Sequence, residues 1–209
     1  MLKTLRRGFL ILLAALPLFA QADATPQALI EQKTQEMMKD LNSHKAQYRS
    51  KPEALYASMD NIIGPIVDAE GMARSIMNTY AKQASPEQMA RFKENVRHGL
   101  MQFYSNGMLE FDPKEIKVLP SAAPTDDRAS IRLEVHGGKG ETHEVSYTMV
   151  NSNGQWLMRN LVMSGLNIGK IYRDQFAHAM QENGGNLDKT IDGWTEMAAS
   201  ADQGGDKAK

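Results

Sequence analysis

The hydrophobic period of this chain changes twice, and that constrains its fold more than any other feature. From Pro26 to Asn106 apolar side chains recur every three or four residues; from Lys114 to Met163 they alternate; from Asn167 the helical spacing returns. A period near 3.6 puts the apolar stripe on one side of a helix, and a period of two puts it on one face of a strand. Strands grouped together between helices, rather than alternating with them, predict an α+β domain built on an antiparallel sheet with one buried and one wet face.

The helical stretches carry their own start and stop signals. Pro26 opens a helix to about Tyr48 with Ile30, Met37, Met38 and Leu41 on one side, and Lys51-Pro52-Glu53 restarts a second with Leu55, Met59, Ile62 and Ile63 that Gly64-Pro65 ends. Asp68 caps a third, whose stripe is Met72, Ile76, Met77 and Tyr80. Ser85-Pro86-Glu87-Gln88 has the order of a capping box and opens a long helix with Met89, Phe92, Val96, Leu100, Phe103 and Tyr104 on its stripe, fraying at Asn106-Gly107.

In the alternating region Ile116 and Val118, then Ile131, Leu133 and Val135, then Val145, Tyr147 and Met149 point one way, with polar residues between them. Gly137 to Gly140 and Asn151 to Gly154 read as hairpin turns, and Gln155 to Met163 is a further strand. A helix from about Asn167 to Gln181 follows, broken at Asn183-Gly184-Gly185. Leu187, Ile191, Trp194 and Met197 then mark a last short helix, and 201–209 is a polar tail.

Ahead of this pattern stands an export signal. Met1 to Arg7 is basic, Gly8 to Phe19 is an apolar run of twelve, and Ala20-Gln21-Ala22 is an A-x-A cleavage site. At roughly 1.5 Å per residue that run reaches about 18 Å, too short for a bilayer. The expected organisation is a cleaved signal over 1–22 and one domain over 23–200, working outside the cytoplasm. The remainder has 21 basic and 25 acidic residues, a net charge of −4, with no basic run suited to nucleic acid. Zero cysteine excludes disulfides, thiolate metal sites, a cysteine nucleophile and a lipoprotein anchor.

Motifs for chemistry are absent. Ser164-Gly165 lacks the setting of a nucleophile elbow, and the glycines from 137 to 140 lie between strands, with no following helix to hold a phosphate. His136 and His143 face a possible metal across one hairpin with Glu134 or Glu144, but no third ligand is set by spacing, so exposed histidines on a wet face are the expectation. The sequence therefore predicts no catalytic residue, no metal and no cofactor. Thirteen methionines outside the signal fill the apolar stripes, as they do both in ordinary cores and in sites that fit variable apolar shapes.

Two stretches carry a family likeness. Residues 62–109 read I-x-P-x-V-D, a helix, S-P-E-Q, then F, V, L and Y at helical spacing; residues 154–194 read a tryptophan strand, a Ser-Gly turn, N-x-x-x-x-Y-R-x-x-F, glycine and a closing helix. Together they resemble the MlaC family, also called toluene-tolerance Ttg2 proteins, over the whole chain behind the signal. Leu161 to Leu166 departs from the D-V-x-x-x-G-V-S more usual in the family. The resemblance implies a curved antiparallel sheet packed by helices, similar to an NTF2-like cone, around an apolar cavity. It also implies a periplasmic phospholipid carrier of Gram-negative bacteria; nothing in the sequence demands a dimer, so a monomer is expected. Such a carrier shuttles lipid between an outer-membrane lipoprotein–porin complex and an inner-membrane ABC transporter with its substrate-binding subunit, with phospholipid as cargo.

On that resemblance the inward stripes become candidates for one lipid slot. They are Met72, Ile76, Phe92, Val96, Leu100 and Tyr104 from helices and Val118, Leu133, Tyr147 and Met149 from strands, with Val162, Leu166, Ile168, Tyr172 and Phe176 as a third wall. Arg159 and Arg173 are the candidates for the headgroup phosphate. Two rival readings are a cavity enzyme with a buried Asp or His, and a periplasmic chaperone or adaptor with an exposed methionine-rich patch.

Overall fold

The computed structural model describes residues 25–194. The export signal, Met197 and the polar tail lie outside the described residues. Six α-helices and a five-stranded sheet follow one another in the order the hydrophobic period predicts: α1 (Pro26–Ser50), α2 (Pro52–Ile62), α3 (Ala69–Met77), α4 (Pro86–Phe111), β1 (Glu115–Val118), β2 (Arg128–His136), β3 (Thr142–Ser152), β4 (Gln155–Met163), β5 (Leu166–Asn167), α5 (Ile168–Glu182) and α6 (Leu187–Asp192). Two 3₁₀ turns, Gly64–Ile66 and Asn78–Lys82, flank α3.

Helix starts follow the sequence signals. The Thr25 hydroxyl accepts from Ala28 N, the Asp68 carboxylate from Gly71 N, and both halves of the Ser85/Gln88 capping box are formed. Helix ends are less legible. The third stripe was expected to run to Tyr80, but α3 stops at Met77, where Asn78 takes φ 52° and ψ −118°. Conversely α4 does not fray at Asn106-Gly107; it continues to Phe111 and ends on Asp112 in the left-handed region. Tyr104, Met108 and Phe111 follow one another at i, i+4 and i+7, so packing of that stripe outweighs the low helix propensity of Asn and Gly.

The sheet is an antiparallel meander, β1-β2-β3-β4-β5. Its tightest turn has Asn153 at φ 53° and Gly154 at φ 85°, the left-handed pair that a two-residue hairpin needs. Registered partners share a face, so the pairing builds rows across the sheet: Val118, Leu133, Val145, Met163 and Leu166 in one, and Ile131, Tyr147 and Leu161 in the next. These rows face the helices. Between Thr148 and Met149 the register slips, since Met149 pairs with Met158 and Thr148 with Asn160, leaving Arg159 as the extra residue of a bulge. The helices pack on the buried face and its β4 edge, with α1 against β1, β2 and α2, α3 against α4, α5 and β4, and α5 against β4.

Candidate functional site

The helix–sheet interface is not filled solid. A cavity of about 400 Å³ lies between α1, the C-terminal half of α4 and the inner face of the sheet. Its walls are mostly apolar: Met37 from α1, Phe103, Met108 and Phe111 from α4, and Ile116, Leu133, Val135, Val145, Leu161 and Met163 from the strands. The turn after β4 forms one rim. There Ser164 takes φ 48°, Gly165 takes φ 82°, and Leu166 is 55% exposed, the one large apolar side chain so open among the described residues. Exposed Glu110 stands at the rim and is the sole acidic side chain in the lining.

Polar groups mark the other parts of this cavity. Thr34, Tyr104 and Tyr147 also line a small space beyond it, so they form its inner end. The Tyr104 hydroxyl donates to Met158 Sδ at 3.3 Å, with Tyr147 beside it in the lining of both spaces. Burial pushes the Tyr104 phenol well above its usual range, and the neighbouring Tyr147 adds to that; burial raises Tyr147 as well. Both stay neutral, as an apolar site requires.

A second cavity of about 230 Å³ lies on the β4 side, between α3, the middle of α4 and the start of α5. Met72, Ile76, Val96, Leu100, Ile168 and Tyr172 give it an apolar lining, and Arg128, Arg159 and Arg173 give it a cationic rim. Leu161 is the one side chain that lines both cavities. Their rims flank one short segment, Ser164 and Leu166 belonging to the larger cavity and Asn167 and Ile168 to the smaller.

The arginines differ in what already holds them. Arg159, carried on the bulge, bonds and ion-pairs with Asp68 at the N-terminus of α3. Gly71 leaves room for that contact, since a Cβ there would displace the Arg159 guanidinium and the Asp68 carboxylate. Arg173 is half-buried, and its Nε is buried without a hydrogen-bond partner among the described residues. Close by, the N-terminus of α5 is capped by Asn167 on Lys170 N and by Asn160 on Gly169 N.

The single slot expected from the stripes is therefore divided. Tyr104, Leu133, Tyr147 and Leu166 line the larger cavity, whereas Met72, Ile76, Val96, Leu100, Ile168 and Tyr172 line the smaller one, together with Arg159 and Arg173. Five candidates line neither. Phe92 and Phe176 are fully buried and pack 4.9 Å apart, each ring close to Trp194, so aromatic packing makes them core. Met149 is fully buried in the same core. Val118 sits at the β1 end of its row, half-buried beside Leu133. Val162 pairs with Ser146 on the outer face, one residue out of phase with Leu161 and Met163.

Sequence reading missed the contribution of α1 and the end of α4. Met37 was legible as an inward residue but not as cavity lining, and Met108 and Phe111 were hidden by ending the helix at Asn106-Gly107. His143 is also corrected. Its register partner is Val135, so it faces the cavity, packs on Phe111 with ring centroids 4.4 Å apart, and places Nδ1 3.3 Å from Ser164 Oγ. His136 pairs with Thr142 on the opposite face, so the two histidines cannot share a metal.

A curved sheet wrapped by helices around apolar cavities, with polar and cationic groups kept to rims and ends, defines a protein built to enclose an elongated apolar or amphiphilic ligand. The MlaC protein family model matches residues 31–196, and the chain belongs to that family. It is 47% identical over 209 residues to the toluene tolerance protein ttg2D of Pseudomonas putida, covering all of this chain and 97% of that one. It is 21% identical over 173 residues to the intermembrane phospholipid transport system binding protein MlaC of Haemophilus influenzae, covering 78% of this chain and 81% of that one. Among solved structures, a phospholipid-binding protein from Ralstonia solanacearum in complex with a phospholipid superposes with a TM-score of 0.75 at 20% identity, over 85% of this chain and 98% of that chain, and so shares the fold.

Proposed function

We propose that this protein is a periplasmic phospholipid carrier. It buries acyl chains in the larger cavity, holds the headgroup at the rim by the segment from Ser164 to Ile168, and passes lipid between outer-membrane and inner-membrane complexes. The single observation that supports this most is an apolar cavity of about 400 Å³ inside a chain of the MlaC family. An exposed methylene costs about 0.8 kcal/mol in water, so two tails with roughly thirty methylenes cost on the order of 20 kcal/mol. Unassisted transit through an aqueous compartment is negligible at that cost, and a shell that covers the tails removes it. The partners are those the family likeness implies, a lipoprotein–porin complex at the outer membrane and an ABC transporter with its substrate-binding subunit at the inner one. The name of the Haemophilus relative, an intermembrane transport system binding protein, supports that reading.

Of the two arginine candidates, Arg173 suits the phosphate better. The Arg159 guanidinium is already engaged by Asp68, and Arg173 has an unpartnered Nε beside a capped helix start. Mass spectrometry of solvent extracts from protein purified without detergent tests the carrier reading, with stoichiometric phospholipid expected. A lipid-free protein that also refuses added phospholipid overturns it. Unchanged lipid content in the Arg159→Ala/Arg173→Ala double variant overturns the headgroup assignment alone.

A further inference from the structure

The larger cavity ends where four residues, Thr34, Met37, Tyr104 and Tyr147, also line a separate space of about 10 Å³. Ile30, Ile63, Ile66 and Met158 complete the walls of that space together with Lys33, so its lining is mostly apolar. With a lining that is mostly apolar, size rather than polarity is what bars a chain end from that space. Ten cubic ångströms is about the minimum for one water and far too little for a chain end.

We propose that the Tyr104–Tyr147 pair is the chain-length stop of this carrier, a specificity-determining element that limits how many methylenes of each cargo tail are enclosed. The inference rests on the reading that the larger cavity holds acyl chains. The physical basis is an opposition of two terms. Each further methylene buried raises retention about fourfold. To admit it past the partition, the Tyr104 hydroxyl must leave Met158 Sδ, 3.3 Å away, and the two rings that line both spaces must move apart. Leaving the buried Tyr104 hydroxyl without a partner costs more than one methylene gains, so the stop holds against a chain that is too long by a little. Both rings are fixed from behind. Tyr147 sits mid-strand between Ile131 and Leu161, and Tyr104 is anchored on the stripe of α4, 7% exposed. A polar pair also suits a stop better than an apolar one, because a methyl terminus gains nothing by displacing it.

Delipidated protein is incubated with synthetic phosphatidylethanolamines that differ only in acyl length, and retained lipid is measured by mass spectrometry. For the unmodified protein, retention is expected to climb about fourfold per methylene and then level off once the chain end reaches the phenols. Tyr147→Ala is expected to move the plateau to longer chains, and Tyr147→Leu, which keeps apolar bulk in the partition, to move it less far in the same direction. Retention that keeps climbing with no plateau in the unmodified protein overturns the proposal without any variant. An unmoved plateau in either variant, once a cooperative unfolding transition shows it is folded, also overturns it while leaving the carrier reading intact. No retention at any length in the unmodified protein removes the carrier reading and the stop together.

Discussion

Phe92→Ala separates core from cavity among residues that the sequence could not tell apart. Phe92 is fully buried, its ring 4.9 Å from Phe176 and 5.2 Å from Trp194, and it lines neither cavity. Removing a buried phenyl ring costs about 3–5 kcal/mol from lost transfer energy and the hole left behind. Here the upper half of that range applies, because two tilted or edge-on aromatic pairs are lost and α4, α5 and the Trp194 turn meet at the ring, which leaves little freedom to collapse. Against a total of roughly 5–15 kcal/mol for a domain of this size, the variant folds but is marginal. Denaturant titration of delipidated protein measures it, because bound lipid would add its own stabilisation and mask the loss. The acyl-length plateau of the folded fraction is expected to stay where it is. A loss below about 2 kcal/mol would refute the packing argument; a shifted plateau would show that the aromatic cluster borders the lipid after all.

Three further outcomes follow from local geometry. Asn78 has φ 52° and ψ −118°, a region open mainly to glycine, so Asn78→Gly should raise stability by about 1 kcal/mol and the thermal midpoint by about 2–4 °C. Gly71→Ala should push the Arg159 guanidinium off Asp68 at a net cost below about 1 kcal/mol, because both are flexible side-chain ends, the pair is partly exposed and Ala favours the helix, and the cost should vanish in an Arg159→Ala background. Burial works to raise the Asp40 carboxyl, but hydrogen bonds from Ser58 and Tyr48 at 2.6 Å each and from His44 at 2.9 Å outweigh it and hold the pKa below the ordinary 3.8. A lowered carboxyl pKa stabilises the fold above the ordinary value and loses that contribution as pH falls through it. The α1–α2 contact should thus weaken in acid below about pH 4, and Ser58→Ala should flatten that limb of a thermal midpoint–pH curve.

How far the site was legible follows from what each residue's role depends on. Leu133 and Tyr147 could be placed on the inner face because strand alternation alone assigns a face, and the register keeps that assignment across the sheet. Met72 and Phe92 share the same signature, an apolar residue on a helical stripe, yet one lines a cavity and the other is sealed under Trp194. No local pattern distinguishes them, because the difference lies in whether neighbouring elements leave a gap. Val162 failed for a different reason. It belongs to an apolar run, Leu161-Val162-Met163, in which composition hides the phase, and only pairing with Ser146 shows that it faces outward.

By itself the sequence determined the period switch, the helix starts, the hairpin turn at Asn153-Gly154 and therefore an α+β meander wrapped by helices. Those features depend on interactions within a few residues, where hydrogen-bond geometry and backbone sterics act directly. Tertiary structure alone decided the rest. It carried α4 past Asn106-Gly107 to Phe111, set Arg159 on a bulge where it reaches Asp68, split one expected slot into two cavities that meet at Leu161, and placed Tyr104 and Tyr147 at the inner end of the larger. Each of these depends on contacts between residues tens of positions apart, and the volume left empty between packed elements belongs to no residue in particular.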